Sequence, residues 1–228
     1  MIKGIIFDLD GTLADTIKDL RTAVNAMLTK LGYPNRSLSD VTKFINNGAR
    51  ELIRRSLPRD VQNVEFILES AIRIYEEEYA KCYCEKTQAF SGVESMLMDL
   101  KGMGYKIGVL SNKQDNFVKD IIYKLFDRKI FSVVMGQSSL PPKPNPASAL
   151  LAAKTMGVKP QKCIYIGDSD VDIKTAFNAG MKQISVSWGY RDEEFLKKSG
   201  ASYIAKTPDE VVEMVKRIAE DEELKNKK

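Results

Sequence analysis

No histidine occurs among the 228 residues of this chain. A Ser/His/Asp triad, a phosphohistidine and a histidine-ligated zinc site are therefore excluded, since each depends on an imidazole. Any catalysis has to run on carboxylates, lysine, hydroxyls or a hard metal ion. Cysteine is scarce too: Cys82, Cys84 and Cys163 form no ligand-spaced set. An odd count with two so close together argues against a disulfide framework, so buried or idle thiols are expected. The chain also lacks an apolar run of the roughly 18 residues that a membrane-spanning helix needs. The opening MIKGIIFDLDG is too short in apolar residues for a secretory signal and is broken at once by acids. A cytoplasmic protein with no membrane partner is expected.

Charge of one sign is lacking as well. The net charge is +4, but lysine, arginine and acid are mixed along most of the sequence. A nucleic-acid partner is not expected. The acidic and then basic end, with Lys225, Lys227 and Lys228, reads as a solvated helix terminus and tail. There is no internal repeat.

What is present is an apolar share of 43%, enough for a sizeable core, in a length that allows one large domain or a core with an insert. Short apolar runs at Ile5 to Phe7, Ile107 to Leu110, Val133 to Met135, Cys163 to Ile166 and Ile184 to Val186 read as buried strands. Between them lie stretches of helical spacing, such as Val93, Met96, Leu97 and Leu100. The alternation predicts a parallel sheet with helices on both faces and all strand carboxyl ends at one edge, where ligands bind in such sheets. The first and second strands are separated by far more chain than a crossover requires. Ile17, Leu20, Val24, Met27, Leu28 and Leu31 make a helical stripe there, Gly32 and Pro34 break it, and helical patterns run over 38–57 and 60–82. Residues 15–86 are read as an all-helical insert in a core made of 1–14 and 87–228.

The polar residues that follow the strands carry the chemistry. Asp8 and Asp10 bring two carboxylates to the end of the first strand, which is costly unless a cation lies between them. Magnesium suits such a pair because it takes oxygen ligands and keeps several waters. Gly11 permits the sharp turn. Ser111 and Asn112 offer a hydroxyl and a backbone amide suited to phosphoryl oxygens, although such pairs also cap helices. Lys143 stands among Pro141, Pro142, Pro144 and Pro146, which keep its backbone out of a helix. Its ammonium suits a transferring phosphate or an ionised Asp8, while a lone lysine in a proline turn is more often simply exposed. In Gly167, Asp168, Ser169, Asp170, Val171, Asp172, the first acid is the expected metal ligand. Asp172 could orient a metal water or Lys143, and Asp170 could merely favour a helix N-terminus.

Taken in order, the DxDGT turn, Ser111, Lys143 and the GDxxxD stretch resemble the haloacid dehalogenase superfamily of phosphohydrolases. Phe44 to Leu52 looks like the cap loop of its phosphoglycolate phosphatase-like branch. Ser91, Gly92, Val93 and Trp188, Gly189, Tyr190 also stand where that branch has similar sequence, the latter read first as structural. The resemblance implies a Rossmann-like core with an inserted helical cap domain. It implies Asp8 as nucleophile through an aspartyl-phosphate, Asp10 as acid and base, and Mg²⁺ at Asp8, the Asp10 carbonyl and Asp168, with Asp172 adjoining. It also implies that Gly11, Thr12, Ser111, Asn112 and Lys143 hold the phosphate. Asn47, Gly48 and Arg50 of the cap would test the leaving group, with Arg50 read equally as a surface residue. The expected substrate is a small phosphorylated metabolite, phosphoglycolate first. Inorganic pyrophosphatase and sugar phosphomutase of the same superfamily are the alternatives, although mutases of this kind often use a cap histidine. A dehalogenase has no use for Asp10, and none of Asp8, Asp10 or Lys143 has degenerated as in a mere phosphate-binding module. Self-association is left open.

Overall fold

Every residue of the first strand, β1 (Gly4–Phe7), is buried, as a strand covered by helices on both faces of a parallel sheet must be. The structure, a computed structural model, describes residues 1–225; Lys227 and Lys228 of the basic end lie outside the described residues. Around β1 stands a six-stranded sheet in the order β5-β4-β1-β6-β7-β8, where β4 is Lys106–Gln114, β5 Phe131–Gln137, β6 Cys163–Gly167, β7 Lys182–Val186 and β8 Ile204–Ala205. All its pairings are parallel. From β1 the chain moves outward through β4 and β5, then returns to the other side of β1 and moves outward through β6, β7 and β8. The reversal puts the carboxyl end of β1 at the topological switch point, where a crevice opens in such sheets.

The expected parallel sheet is present, with two differences from the apolar runs. β8 is a sixth strand of two residues, too short to register as a periodicity. β4 runs past Leu110 to Gln114, with its pairing to β5 shifted between Leu110 and Gln114. Such an irregularity re-aims side chains, so Ser111, Asn112 and Lys113 belong to the strand without following its regular pleat.

The helices of this unit are α5 (Val93–Gly102), α6 (Asp115–Leu125), α7 (Ala147–Thr155), α8 (Asp170–Asn178), α9 (Glu193–Lys198) and α10 (Pro208–Lys225). The stripe Val93, Met96, Leu97 and Leu100 is wholly buried along α5. Ala149, Ala152, Ala153 and Met156, at and just after α7, share one core cluster with Ile6 of β1, Leu110 of β4 and Tyr165 of β6. The small side chains of α7 let that helix approach the sheet closely.

The chain divides into two units, one of Met1–Ala14 with the chain from Ala89 onward, the other Asp15–Gln88. A two-stranded ribbon, β2 (Ala14–Asp15) with β3 (Gln88–Ala89), marks the points of departure and return. The second unit consists of α1 (Ile17–Lys30), α2 (Leu38–Phe44), α3 (Gly48–Ser56) and α4 (Glu65–Cys82). The helical pattern over 38–57 is split because Asn46 (φ 96°) and Gly48 (φ 81°) adopt left-handed backbone that no α-helix can pass through. α4 starts five residues later than its pattern, at Glu65. All three cysteines are free. Among the described residues no helix is long and apolar enough to cross a membrane.

The two ends of the helical unit are tied by one carboxylate. Asp19, in the first turn of α1 and 1% exposed, accepts the backbone N–H of Lys86 (2.9 Å), the N–H of Thr87 (2.8 Å) and the Thr87 hydroxyl (2.8 Å). Asp19→Ala strands these donors and is expected to cost about 3 kcal/mol in urea-induced unfolding; a loss below about 1 kcal/mol would show that water replaces the carboxylate.

Candidate active site

The turn after β1 is wound around a single carbonyl. Leu9 O accepts the N–H groups of Leu13 (3.0 Å) and Ala14 (3.0 Å), and Gly11 N–H donates to Ala14 O (2.9 Å). Gly11 has φ +82°, and a Cβ on it would strike the Asp168 carboxylate, so both conformation and close packing call for glycine. The turn leaves Asp8 and Asp10 on different partners. Asp8 Oδ1 accepts Leu9 N–H (2.7 Å) and the Lys143 ammonium (2.9 Å). Asp10 Oδ1 pairs with Lys113 Nζ (2.8 Å), while Ser111 Oγ donates to Asp10 Oδ2 (3.4 Å).

Lys143 is buried, unlike most lysines in proline turns, at 5% exposure. Its ammonium bridges Asp8 (2.9 Å) and Asp172 Oδ1 (2.8 Å) and stands 5.7 Å from the centre of the Tyr165 ring. Asn112 holds its backbone from both sides: Lys143 N–H donates to Asn112 Oδ1 (2.7 Å) and Asn112 Nδ2 donates to Lys143 O (3.0 Å). The Asn112 side-chain amide is thus committed to the loop that carries the lysine.

From the next strand over, Asp168 follows β6 and is wholly buried. Its Oδ2 accepts Tyr190 N–H (2.7 Å), whereas its Oδ1 has no hydrogen-bond partner among the described residues. Asp172 serves two purposes, since its Oδ2 completes a capping box with Ser169 at the start of α8 while its Oδ1 holds Lys143. A Cβ at Gly167 would collide with that Asp172 side chain. Asp170 is paired with Lys174 (2.7 Å) one turn along α8.

Carboxylate oxygens of Asp8, Asp168 and Asp172 lie within 4.8 Å of one another. Three buried carboxylates against one ammonium leave two negative charges uncompensated. The protonation tendencies register the imbalance. Burial, then the charge of Asp172, pushes Asp8 up to about 7 against the pull of Lys143. Burial, then the charges of Asp172 and Asp8, raises Asp168 well above the carboxylate range. Burial would lower Lys143, but Asp172 and Asp8 outweigh it and hold the ammonium well above its ordinary value. A divalent cation fits: it restores neutrality, and the orphaned Asp168 Oδ1 and the hard oxygen donors suit it. Thr12 Oγ1 is also buried without a partner among the described residues.

A family model described as "Haloacid dehalogenase-like hydrolase" matches residues 5–186. The chain belongs to that family. It is 37% identical over 192 residues to the phosphoglycolate phosphatase of Psychrobacter arcticus, covering 82% of this chain and 84% of the relative. Among solved structures it is similar to a predicted phosphoglycolate phosphatase from Haemophilus somnus, with TM-score 0.85 and 28% identity, covering 94% of this chain and 98% of that one. It is similar also to β-phosphoglucomutase from Clostridium difficile, with TM-score 0.78 and 25% identity, covering 98% of this chain and 100% of that one.

Within this haloacid dehalogenase-like chain, the expected residues of the sheet edge fall into two groups. Asp8, Lys143, Asp168 and Asp172 share one cluster, and Asp10 stands with Ser111 beside it. Asn47, Gly48 and Arg50 belong to the helical unit, at the turn that opens α3, where the Arg50 guanidinium pairs with Glu65 (2.6 Å) and Glu69 of α4. The residues that sequence reasoning missed are supports. Tyr165 is a lone hydroxyl in an aliphatic strand, and its OH donates to Leu110 O (3.3 Å). Tyr190 N–H fixes Asp168, and Trp188 Nε1 donates to Thr12 O (3.0 Å), which gives the Trp-Gly-Tyr segment its structural role. Lys113, next to Ser111 and Asn112, is the charged residue passed over.

If the three carboxylates hold a divalent cation, magnesium chloride at about a hundredfold over its Kd raises the melting temperature by roughly 5–10 °C. Asp168→Asn abolishes that shift while still melting cooperatively. An equal shift in both proteins would remove the cation from this cluster.

Proposed function

We propose that the protein is a cytoplasmic, magnesium-dependent phosphatase of small phosphorylated metabolites, with phosphoglycolate as substrate. The uncompensated charge beside Asp8 carries this reading, in a chain of a hydrolase family that resembles proteins named phosphoglycolate phosphatase. Asp8, Asp168 and the Asp10 carbonyl, with Asp172 adjoining, would hold the magnesium, whose charge would offset the repulsion between an anionic nucleophile and an anionic phosphate.

The chain's own groups supply the remaining chemistry. Asp8 attacks phosphorus in line through the carboxylate oxygen not committed to Leu9 and Lys143, the bond from phosphorus to the ester oxygen breaks, and an aspartyl-phosphate forms. Asp10 gives its proton to the leaving oxygen. It then takes a proton from the water that attacks the aspartyl-phosphate, which restores Asp8 and releases phosphate. Lys143, Ser111 and Thr12 hold the charge on the transferring group, and Asn112 keeps Lys143 in place. The tight Leu9 turn fixes both aspartates in advance, so little reorganisation is left for the reaction itself.

A phosphate-release screen over phosphoglycolate, pyrophosphate, hexose phosphates and nucleotides, with and without magnesium, tests the proposal. Phosphoglycolate is expected to give the highest kcat/KM, chelation to remove turnover, and Asp8→Asn to lower kcat by about 10⁴-fold or more. Full activity in Asp8→Asn would overturn the nucleophile, and preference for pyrophosphate or a sugar bisphosphate would replace the named substrate.

A further inference from the structure

The DxD turn meets two ammonium groups, and they are divided between its two carboxylates. Lys143 lies on Asp8 and Asp172; Lys113 lies on Asp10, with Nζ 2.8 Å from Oδ1. We propose that Lys113 is the specificity-determining residue of this site, receiving the carboxylate of a phosphorylated hydroxy acid next to the oxygen that leaves. The inference rests on the phosphoglycolate reading and deepens it.

The placement follows from the direction of the reaction. In an in-line displacement the leaving oxygen lies opposite the nucleophile, and the group that protonates it must be within hydrogen-bond reach. Asp10 is that group, so an ammonium hydrogen-bonded to Asp10 stands beside the leaving group rather than beside the transferring phosphoryl. In phosphoglycolate a single methylene separates the ester oxygen from the carboxylate, so the carboxylate must fall within reach of whatever adjoins Asp10. An ammonium carries three donors on a compact head and can bond the Asp10 side chain and a substrate carboxylate at once.

The surroundings raise the worth of such a contact. The Lys113 side chain is 7% exposed, and its own N–H donates to Ser111 Oγ (3.2 Å), which in turn donates to Asp10. Ser111 and Lys113, two residues apart on β4, reach the same carboxylate. A shielded ammonium of this kind gains more from a second carboxylate than an exposed one would, and it disfavours an analogue that sets an apolar group against it. Lys113 also touches Asp10, so its removal disturbs proton transfer for every substrate, and only a ratio of substrates isolates the recognition role.

Ethyl phosphate has the skeleton of phosphoglycolate with a methyl group in place of the carboxylate. The test is kcat/KM for both esters in the wild type, Lys113→Met, Lys113→Gln and Lys113→Arg, with circular dichroism to show that each is folded. The wild type is expected to prefer phosphoglycolate, the Met and Gln variants to lose on the order of 10- to 100-fold of that preference, and Arg to restore most of it. A wild type that prefers phosphoglycolate, with the preference intact in the folded neutral variants, overturns this inference and leaves the substrate standing. A wild type that treats the two esters alike overturns the substrate reading and this inference with it.

Discussion

The ammonium of Lys143, shared between Asp8 and Asp172 at 2.9 and 2.8 Å, is the interaction on which the rest of the site depends. Buried carboxylates repel each other strongly where water cannot screen them, and ions taken out of water persist only where opposite charge and hydrogen bonds replace the lost hydration. One ammonium compensates part of the charge of Asp8, Asp168 and Asp172, and the remainder defines a place for a divalent cation. The centre that is electrostatically unfinished in the protein alone is therefore the centre suited to an incoming cation and an anionic substrate.

Holding that ammonium engages much of the core unit. Asn112 fixes the backbone of the Lys143 loop from β4, Tyr165 of β6 packs its ring near the Nζ, and Asp172 is immobilised by its capping box with Ser169. Helix capping and charge pairing are not competing explanations for Asp172, because a carboxylate has two oxygens and each does one of these. Asp168 is fixed in the same manner by Tyr190 N–H, and the space for it is kept by Gly11 and Gly189, where any Cβ would collide with it. The sheet brings these groups together because β1 lies between β4 and β6, so the carboxyl ends of three adjacent strands converge at the switch point.

The helical unit obeys a different logic. Its long helices α1 and α4 each bury an apolar stripe, and its two chain ends are joined through Asp19 as well as by the β2–β3 ribbon, so it is a self-contained element inserted into a loop. Arg50 illustrates the difference: its guanidinium spans to Glu65 and Glu69 of α4, a pairing internal to the helices. Exposed pairs of this kind contribute little to stability, yet they set where a side chain rests.

The sequence by itself determined the parallel sheet, the helical insert and the residues at the sheet edge, because apolar runs and helical stripes are local patterns and DxDGT and GDxxxD are contiguous. Its apolar runs stopped short of β8 and of the end of β4, where a two-residue strand and an irregular pleat carry no periodicity. Only the tertiary structure decided the partners: that Lys143 is buried against two acids, that the Asn112 side chain supports its loop, and that Lys113 lies on Asp10. The physical reason is separation along the chain. Lys143 stands 29 residues from Asp172 and Asn112 31 from Lys143, and no local spacing rule reaches that far; only the folding of β1, β4 and β6 side by side makes these groups neighbours.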